Sequence, residues 1–126
     1  MKSASPGEAM LDLKFIVEDR NGVTIVKCLG RLDSETYMET KEKIMSFLKD
    51  GKVKLVLDMS ETMYVSSAGW GVILGHLKDF RDKGGNAVIC SPSLHVKDVY
   101  ELMELKEVLE SYPTVDKAIA SFDTVK

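Results

Sequence analysis

Apolar residues at Leu11, Leu13, Phe15 and Val17 alternate with Asp12, Lys14, Ile16 and Glu18, nearly the period-two pattern of a strand with one buried face. Arg20-Asn21-Gly22 follows, and Asn-Gly supplies the positive φ angles of a tight hairpin. Val23 to Leu29 is therefore expected to return antiparallel beside the first strand and to end at Gly30. From Ser34 to Lys49 the apolar positions Tyr37, Ile44, Phe47 and Leu48 recur at helical spacing, with Met38 and Met45 at the edge of the stripe and Asp50-Gly51 as the stop. Val53 to Leu57 is a short, almost unbroken apolar run, the mark of a strand covered on both faces, and is expected at the centre of a sheet.

The alternation of periods continues to the C-terminal region. A second helix is expected from Ala68 to Lys83, with Ile73, Leu77 and Phe80 on one face and Gly84-Gly85 ending it. Ala87 to Cys90 reads as another buried strand. Val96, Val99, Tyr100 and Met103 mark a third helix; Val115, Ala118, Ile119 and Phe122 mark a fourth, behind Pro113 and Thr114, with a short strand near Val108 to Ser111 between them. A hairpin followed by alternating helices and strands predicts an α/β fold: one mixed β-sheet with an N-terminal antiparallel hairpin and about four packed α-helices. The 126 residues suit one domain, taken as 11–126, with 1–10 read as a flexible leader.

Charge narrows the function classes. A formal net charge of −3, with both signs interspersed, offers no broad basic field, so direct nucleic-acid binding is not expected. No stretch is long and apolar enough for a membrane span, and residues 1–10 lack a signal-peptide core, which places the protein in the cytoplasm. Cys28 and Cys90 lie in apolar runs, where a reduced thiol acts as a small hydrophobe; the alternative is a disulfide between neighbouring strands. His76 and His95 have no partner at metal-ligand spacing, and no Ser-His-Asp set can be argued, so neither a metal nor catalysis is expected. Gly69-Trp70-Gly71 followed by Gly75 departs from the spacing of a dinucleotide loop, and the glycines read instead as letting the helix start pack closely on the sheet. The methionines at helical spacing read as core filler, and Glu101, Glu104, Glu107 and Glu110 as a solvated face.

The unusual stretch runs from Asp58 to Gly75, out of a buried strand, through a short loop and into a helix. Within it, Val65-Ser66-Ser67-Ala68-Gly69-Trp70-Gly71-Val72-Ile73-Leu74 resembles the signature loop of the STAS domain family of anti-sigma factor antagonists, usually Asp-Ser-[Ser/Thr/Ala]-Gly-Leu-Gly. Gly30-Arg31-Leu32-Asp33 resembles that family's Gly-x-[Leu/Ile/Phe]-Asp element, and Gly84-Gly85, Ala87 to Cys90 and Ser91-Pro92 fall in its order, so the likeness covers about Leu11 to Phe122. Ser66 stands where the family has its aspartate, and Trp70 where it has leucine.

The resemblance implies a non-catalytic switch without a cofactor. In the family, the serine after the aspartate is phosphorylated by a serine kinase that is itself the anti-sigma factor; that serine is Ser67 here. The unmodified antagonist binds the kinase and releases sigma factor, phosphorylation abolishes binding, and a PP2C-type phosphatase resets the cycle. Asp33, Ser66, Ala68, Gly69 and Trp70 are then expected at the partner surface. Within the same fold, the rival is an accessory subunit docking on a transporter ATPase without phosphorylation. Outside it, the rival is a small anion- or ligand-binding protein using the helix N-terminus.

The residues alone leave other roles open. Ser66 or Ser67 could serve only as a helix cap, Asp33 could cap the first helix, and Trp70 could be a core plug or an exposed anchor. An exposed Trp70 or the hairpin's edge strand would support a weak dimer; otherwise a monomer is expected.

Overall fold

The structure is a computed structural model that describes residues 13–123. Asn21 (φ 54°) and Gly22 (φ 81°) both adopt positive φ, the two-residue turn that Asn-Gly predicts. It joins β1 (Lys14–Arg20) to β2 (Val23–Leu32) in an antiparallel pair running from Arg20 opposite Val23 to Lys14 opposite Leu29. The expected leader, residues 1–10, lies outside the described residues, as does Leu11. Leu13 and Phe15 pack on the core as expected, whereas Val17, on the same outer strand, stays 40% exposed.

β2 does not end at Gly30. Gly30 takes φ 123°, a conformation glycine adopts without strain, and the ladder shifts register between Gly30 and Arg31. The strand thereby changes neighbours. Thr24 to Lys27 pair in parallel with Leu55 to Asp58 of β3 (Lys54–Asp58), and Gly30 to Leu32 pair in parallel with β4 (Thr62–Val65). β4 corrects the expectation of a plain loop between Asp58 and the second helix. Its four residues carry little pattern of their own and become a strand by pairing with the extension of β2.

β5 (Asn86–Cys90) pairs with β3, and β6 (Ser111–Tyr112) pairs with β5, both in parallel. The order is β1-β2-β3-β5-β6, with β4 beside the end of β2. β3 is central, as its apolar run predicts: Leu55 and Val56 are inaccessible, and each feeds a different face. One face packs against α1 (Tyr37–Lys49), α2 (Ser67–Gly75), α3 (Leu77–Asp82) and α4 (Leu94–Leu102), through Ile44, Phe47, Trp70, Ile73, Phe80 and Val96. The other is covered by α5 (Val115–Ala120), whose Ala118 and Ile119 meet Val23, Ile25, Val56 and Val88.

The helices differ from expectation in ways that matter for the site. α1 begins at Tyr37 rather than Ser34, because Asp33 and Thr36 tie the preceding residues into a turn. The single helix expected over 68–83 is broken at His76 into α2 and α3; the His76 Nδ1 lies 2.7 Å from the Val72 carbonyl oxygen at the break. After α4, Glu104 adopts φ 56° and Leu105–Glu107 forms a 3-10 turn before β6, which falls slightly later than predicted. Thr114 caps α5, its side chain accepting from the Lys117 amide at 3.1 Å. Met38, Met45 and Met103 are about half exposed, not core filler, since they lie off the buried stripes; among the described methionines the inaccessible one is Met59, outside any helix.

Candidate functional site

The chain leaves β4 at Val65 and enters α2 over two serines with different structural duties. Ser66 is the N-cap: its backbone is extended (φ −85°, ψ 177°), and its Oγ accepts from the Gly69 amide at 3.3 Å. Its own N–H donates to the Leu32 carbonyl at 2.8 Å, and its carbonyl accepts from Trp70 N–H at 2.9 Å. The loop is thus fastened to the end of β2. Serine and aspartate are both favoured caps, so Ser66 keeps the capping function that an aspartate at this position could perform, without its charge.

Ser67 is the first residue of α2 and is exposed, and among the described residues its hydroxyl has no hydrogen-bond partner. The first-turn N–H groups of a helix face outward with partial positive charge, so an anion carried on Ser67 would be electrostatically welcome to the fold itself. Ala68 is half-buried beside it.

Gly69 and Trp70 do not lie on the surface expected for them. Gly69 is buried against the end of β2, where a Cβ would stand 2.5 Å from the Leu32 carbonyl oxygen and 2.9 Å from Val65 Cγ1. Trp70 is 2% exposed, its ring centroid 6.3 Å from that of Tyr100, and its Nε1–H is buried without a partner among the described residues. The core-plug alternative therefore holds for Trp70, and the tryptophan-based dimer contact is removed. Both residues position the loop rather than offer contact area.

Asp33 follows Leu32 directly and caps a turn rather than the helix. Its Oδ1 accepts from the Glu35 and Thr36 amides at 2.9 and 3.2 Å, while its own N–H donates to Thr36 Oγ1 at 3.0 Å. The N-cap of α1 is Thr36, whose hydroxyl instead donates to the Arg31 carbonyl at 2.7 Å. Arg31 Nε lies 3.4 Å from Asp33 Oδ2, and the guanidinium carbon sits 5.3 Å from the centre of the Tyr64 ring, which in turn stands 5.6 Å from the His95 ring. Sequence reading missed this stack. Arg31 and Tyr64 become neighbours only through the β2–β4 pairing, which no local pattern announced.

A second missed feature is a groove of about 450 Å³ between α1 and α2, lined by Tyr37, Lys41, Ala68, Gly71, Val72 and His76 among others. It opens one residue from Ser67. Two of its glycines, Gly71 and Gly75, have no atom within 4 Å of a would-be Cβ, so their bare backbone forms open floor. Tyr37 is 38% exposed beside it, and the signal that could have found it is an aromatic placed at the very start of the α1 stripe.

Cys28 and Cys90 are free and buried, and they sit on β2 and β5 with β3 between them, which rules out a bridge between neighbouring strands. Burial, with the nearby Asp58 carboxylate adding to it, pushes both thiols up to about 12, so they stay protonated and unreactive. Among the described residues no three His, Cys, Asp or Glu side chains stand together as a metal site would require, and no helix is long and apolar enough to cross a membrane.

Residues 14–118 match the model of the STAS domain family. The anti-sigma F factor antagonist of Paenibacillus polymyxa is 25% identical over 116 residues, covering 91% of this chain and 99% of that protein. The crystal structure of protein TM1081 from Thermotoga maritima superposes with a TM-score of 0.78 at 26% identity, over 86% of this chain and 94% of that one. An anti-sigma factor antagonist from Mycobacterium paratuberculosis shares the fold at a TM-score of 0.71 and 23% identity, over 96% of this chain and 99% of the other. With an antiparallel edge hairpin, a glycine-rich helix start docked on the end of β2 and a family match spanning nearly the whole described chain, this protein belongs to the STAS domain family.

Proposed function

We propose that the protein is an anti-sigma factor antagonist that works as a phosphorylation switch: the unmodified form binds an anti-sigma serine kinase and frees sigma factor, and a phosphate on Ser67 ends that binding. The observation that carries this reading is the division of labour between the serines. Ser66 provides the cap and the anchor to β2, which leaves Ser67 exposed with a free hydroxyl. The names of the similar proteins support the same role.

The chemistry follows from charge. Phosphorylation would place about −1.5 to −2 charges on Ser67 at neutral pH. At the first position of α2 this anion faces unpaired N–H groups, and the capping side chain beside it is uncharged, so the domain keeps its fold. A partner seated over Ser67 and the groove lined by Tyr37, Ala68 and Val72 would instead have to desolvate a dianion. Binding is lost with no refolding. The kinase supplies ATP, magnesium and base, a PP2C-type phosphatase restores the hydroxyl, and this chain acts as substrate rather than enzyme, in the cytoplasm. Asp33 and Ala68 border the docking surface, with Ser66 behind them.

The test is intact-mass analysis of the protein recovered from its native cells beside a Ser67→Ala variant, with the modified residue located by peptide sequencing. The expected result is one phosphate on Ser67 that disappears in the variant. An unmodified Ser67 under all growth conditions would overturn the switch and favour constitutive docking.

A further inference from the structure

On the β5–β6 side of the sheet a second cavity of about 440 Å³ opens outside the carboxyl ends of the two strands. Its size is that of a small-molecule site, and the crevice beyond the carboxyl ends of parallel strands is where open α/β sheets hold ligands. Its charged lining consists of Lys97, Lys106 and Glu101. Neither lysine ammonium makes an ion pair or hydrogen bond among the described residues, although Glu101 lies one helical turn from Lys97.

The position of Lys97 adds to this. It sits at the end of the first turn of α4, whose opening residues Leu94 to Val96 include no acidic side chain, so its charge lies towards the positive end of the helix dipole, with Asp98 and Glu101 following it on the same helix. Ser91, at the exit of β5, adopts φ 51°, a left-handed conformation uncommon for serine, and such local strain concentrates at ligand sites. It is held there by its N–H donating to the Tyr112 carbonyl at 2.9 Å and its hydroxyl donating to the Pro113 carbonyl at 3.3 Å, which ties the two strand ends together at the cavity. Tyr100, Tyr112 and Pro113 supply flat apolar walls. The Tyr100 hydroxyl is already committed to the Leu109 carbonyl, so its ring is what the cavity can use.

We propose that this cavity binds a small organic phosphate monoester with a flat apolar body, the phosphate between Lys97 and Lys106 and the body against the tyrosine and proline walls. Two compact ammonium charges suit a dianion better than a monoanion, and lysine binds phosphate as a point charge without demanding bidentate geometry. The site is separate from Ser67 and does not depend on the switch.

The experiment is a titration of the full chain with phenyl phosphate, followed by amide chemical shifts, with phenol as the uncharged control. Saturable shifts centred on Ser91, Lys97, Ser111 and Tyr112 are expected, and a Lys97→Gln/Lys106→Gln double variant should bind at least tenfold more weakly with its other amide shifts unchanged. Both lysines are exposed and unpaired, so the variant keeps the fold. Absence of saturable shifts, shifts centred on Ser66 to Gly69, equal response to phenol, or unchanged affinity in the double variant would each overturn the proposal.

Discussion

Gly69→Ala and Gly71→Ala make opposite demands on the same helix, and the pair tests how α2 is docked. Alanine for glycine in an exposed helix interior is worth about 1 kcal/mol in propensity. At Gly71 nothing lies within 4 Å of the new Cβ, so most of that gain should appear as stability. At Gly69 the Cβ would stand 2.5 Å from the Leu32 carbonyl oxygen, 2.9 Å from Val65 Cγ1 and 3.0 Å from Leu32 Cβ. The nearest of these is backbone at the paired end of β2, held by the Ser66 amide, and cannot swing aside, so the start of α2 must move off β2. Such overpacking costs roughly 1–3 kcal/mol. The shift also stretches the Ser66 N–H to Leu32 carbonyl bond, now 2.8 Å, which is worth about 1 kcal/mol. Set against the propensity gain, Gly69→Ala should lose about 1–3 kcal/mol, while Gly71→Ala should gain about 0.5–1 kcal/mol. Urea unfolding followed by fluorescence reads this directly, because Trp70 is the sole tryptophan and lies buried one residue away. The slope with urea should stay constant and the midpoint move. A Gly69→Ala protein as stable as the parent, or a Gly71→Ala protein clearly less stable, refutes the close-docking argument.

Other outcomes follow from the same contacts. Ser66→Ala should cost about 1 kcal/mol through the lost cap, Ser66→Asp should restore it, and Ser67→Ala should change stability by less than about 0.5 kcal/mol; urea midpoints of the three variants check the division between the serines. Trp70→Ala should cost about 3–5 kcal/mol, whereas Trp70→Phe should cost far less because the buried Nε1–H it removes has no partner, as thermal unfolding would show. Cys28 and Cys90 are raised from an ordinary 9.0 to about 12 in the fold. Between those values the unfolded chain releases protons that the folded one keeps, so stability is fully present below about pH 9 and falls as pH climbs towards 12. Midpoints measured from pH 8 to 11 should decline, and a Cys28→Ala/Cys90→Ala variant should decline less steeply.

The fold was largely legible because its strands and helices carry strong local signals. Asn21-Gly22 sets the hairpin, the run Val53 to Leu57 can be satisfied only with helices on both faces, and Ile44 with Phe47 marks the inner side of α1. What escaped was made by pairing rather than by pattern. β4 spans four residues, one of them the half-exposed Met63, and is a strand only because β2 runs past Gly30 to meet it. The break at His76 escaped for a related reason: the apolar stripe continues across it through Ile73, Leu77 and Phe80, so periodicity alone favours one helix. At the site, the serine dipeptide, the glycines and the tryptophan were found, with their roles left as alternatives, cap or phospho-acceptor, close packing or partner contact, core plug or exposed anchor. Gly69 and Trp70 carry no local mark that separates docking from display, and burial decides it.

The extension of β2 also explains how the two separated sequence elements come to share one end of the molecule. Leu32 ends the strand, its carbonyl receives the Ser66 amide, and Asp33 begins the turn that leads to α1. The loop bearing Ser67 and the turn bearing Asp33 are thus fastened to the same strand end, and that strand is one of the most deeply paired in the sheet, with β1 on one side and β3 and β4 on the other. A surface anchored in this way does not need to move in order to respond. Adding charge at Ser67 leaves Ser66, Gly69 and Leu32 where they are, so the proposed switch reads out as a change in what can dock rather than a change in shape. The same rigidity makes substitutions under the loop, at Gly69 above all, more damaging to partner binding than substitutions at the exposed serine's own neighbours on the surface.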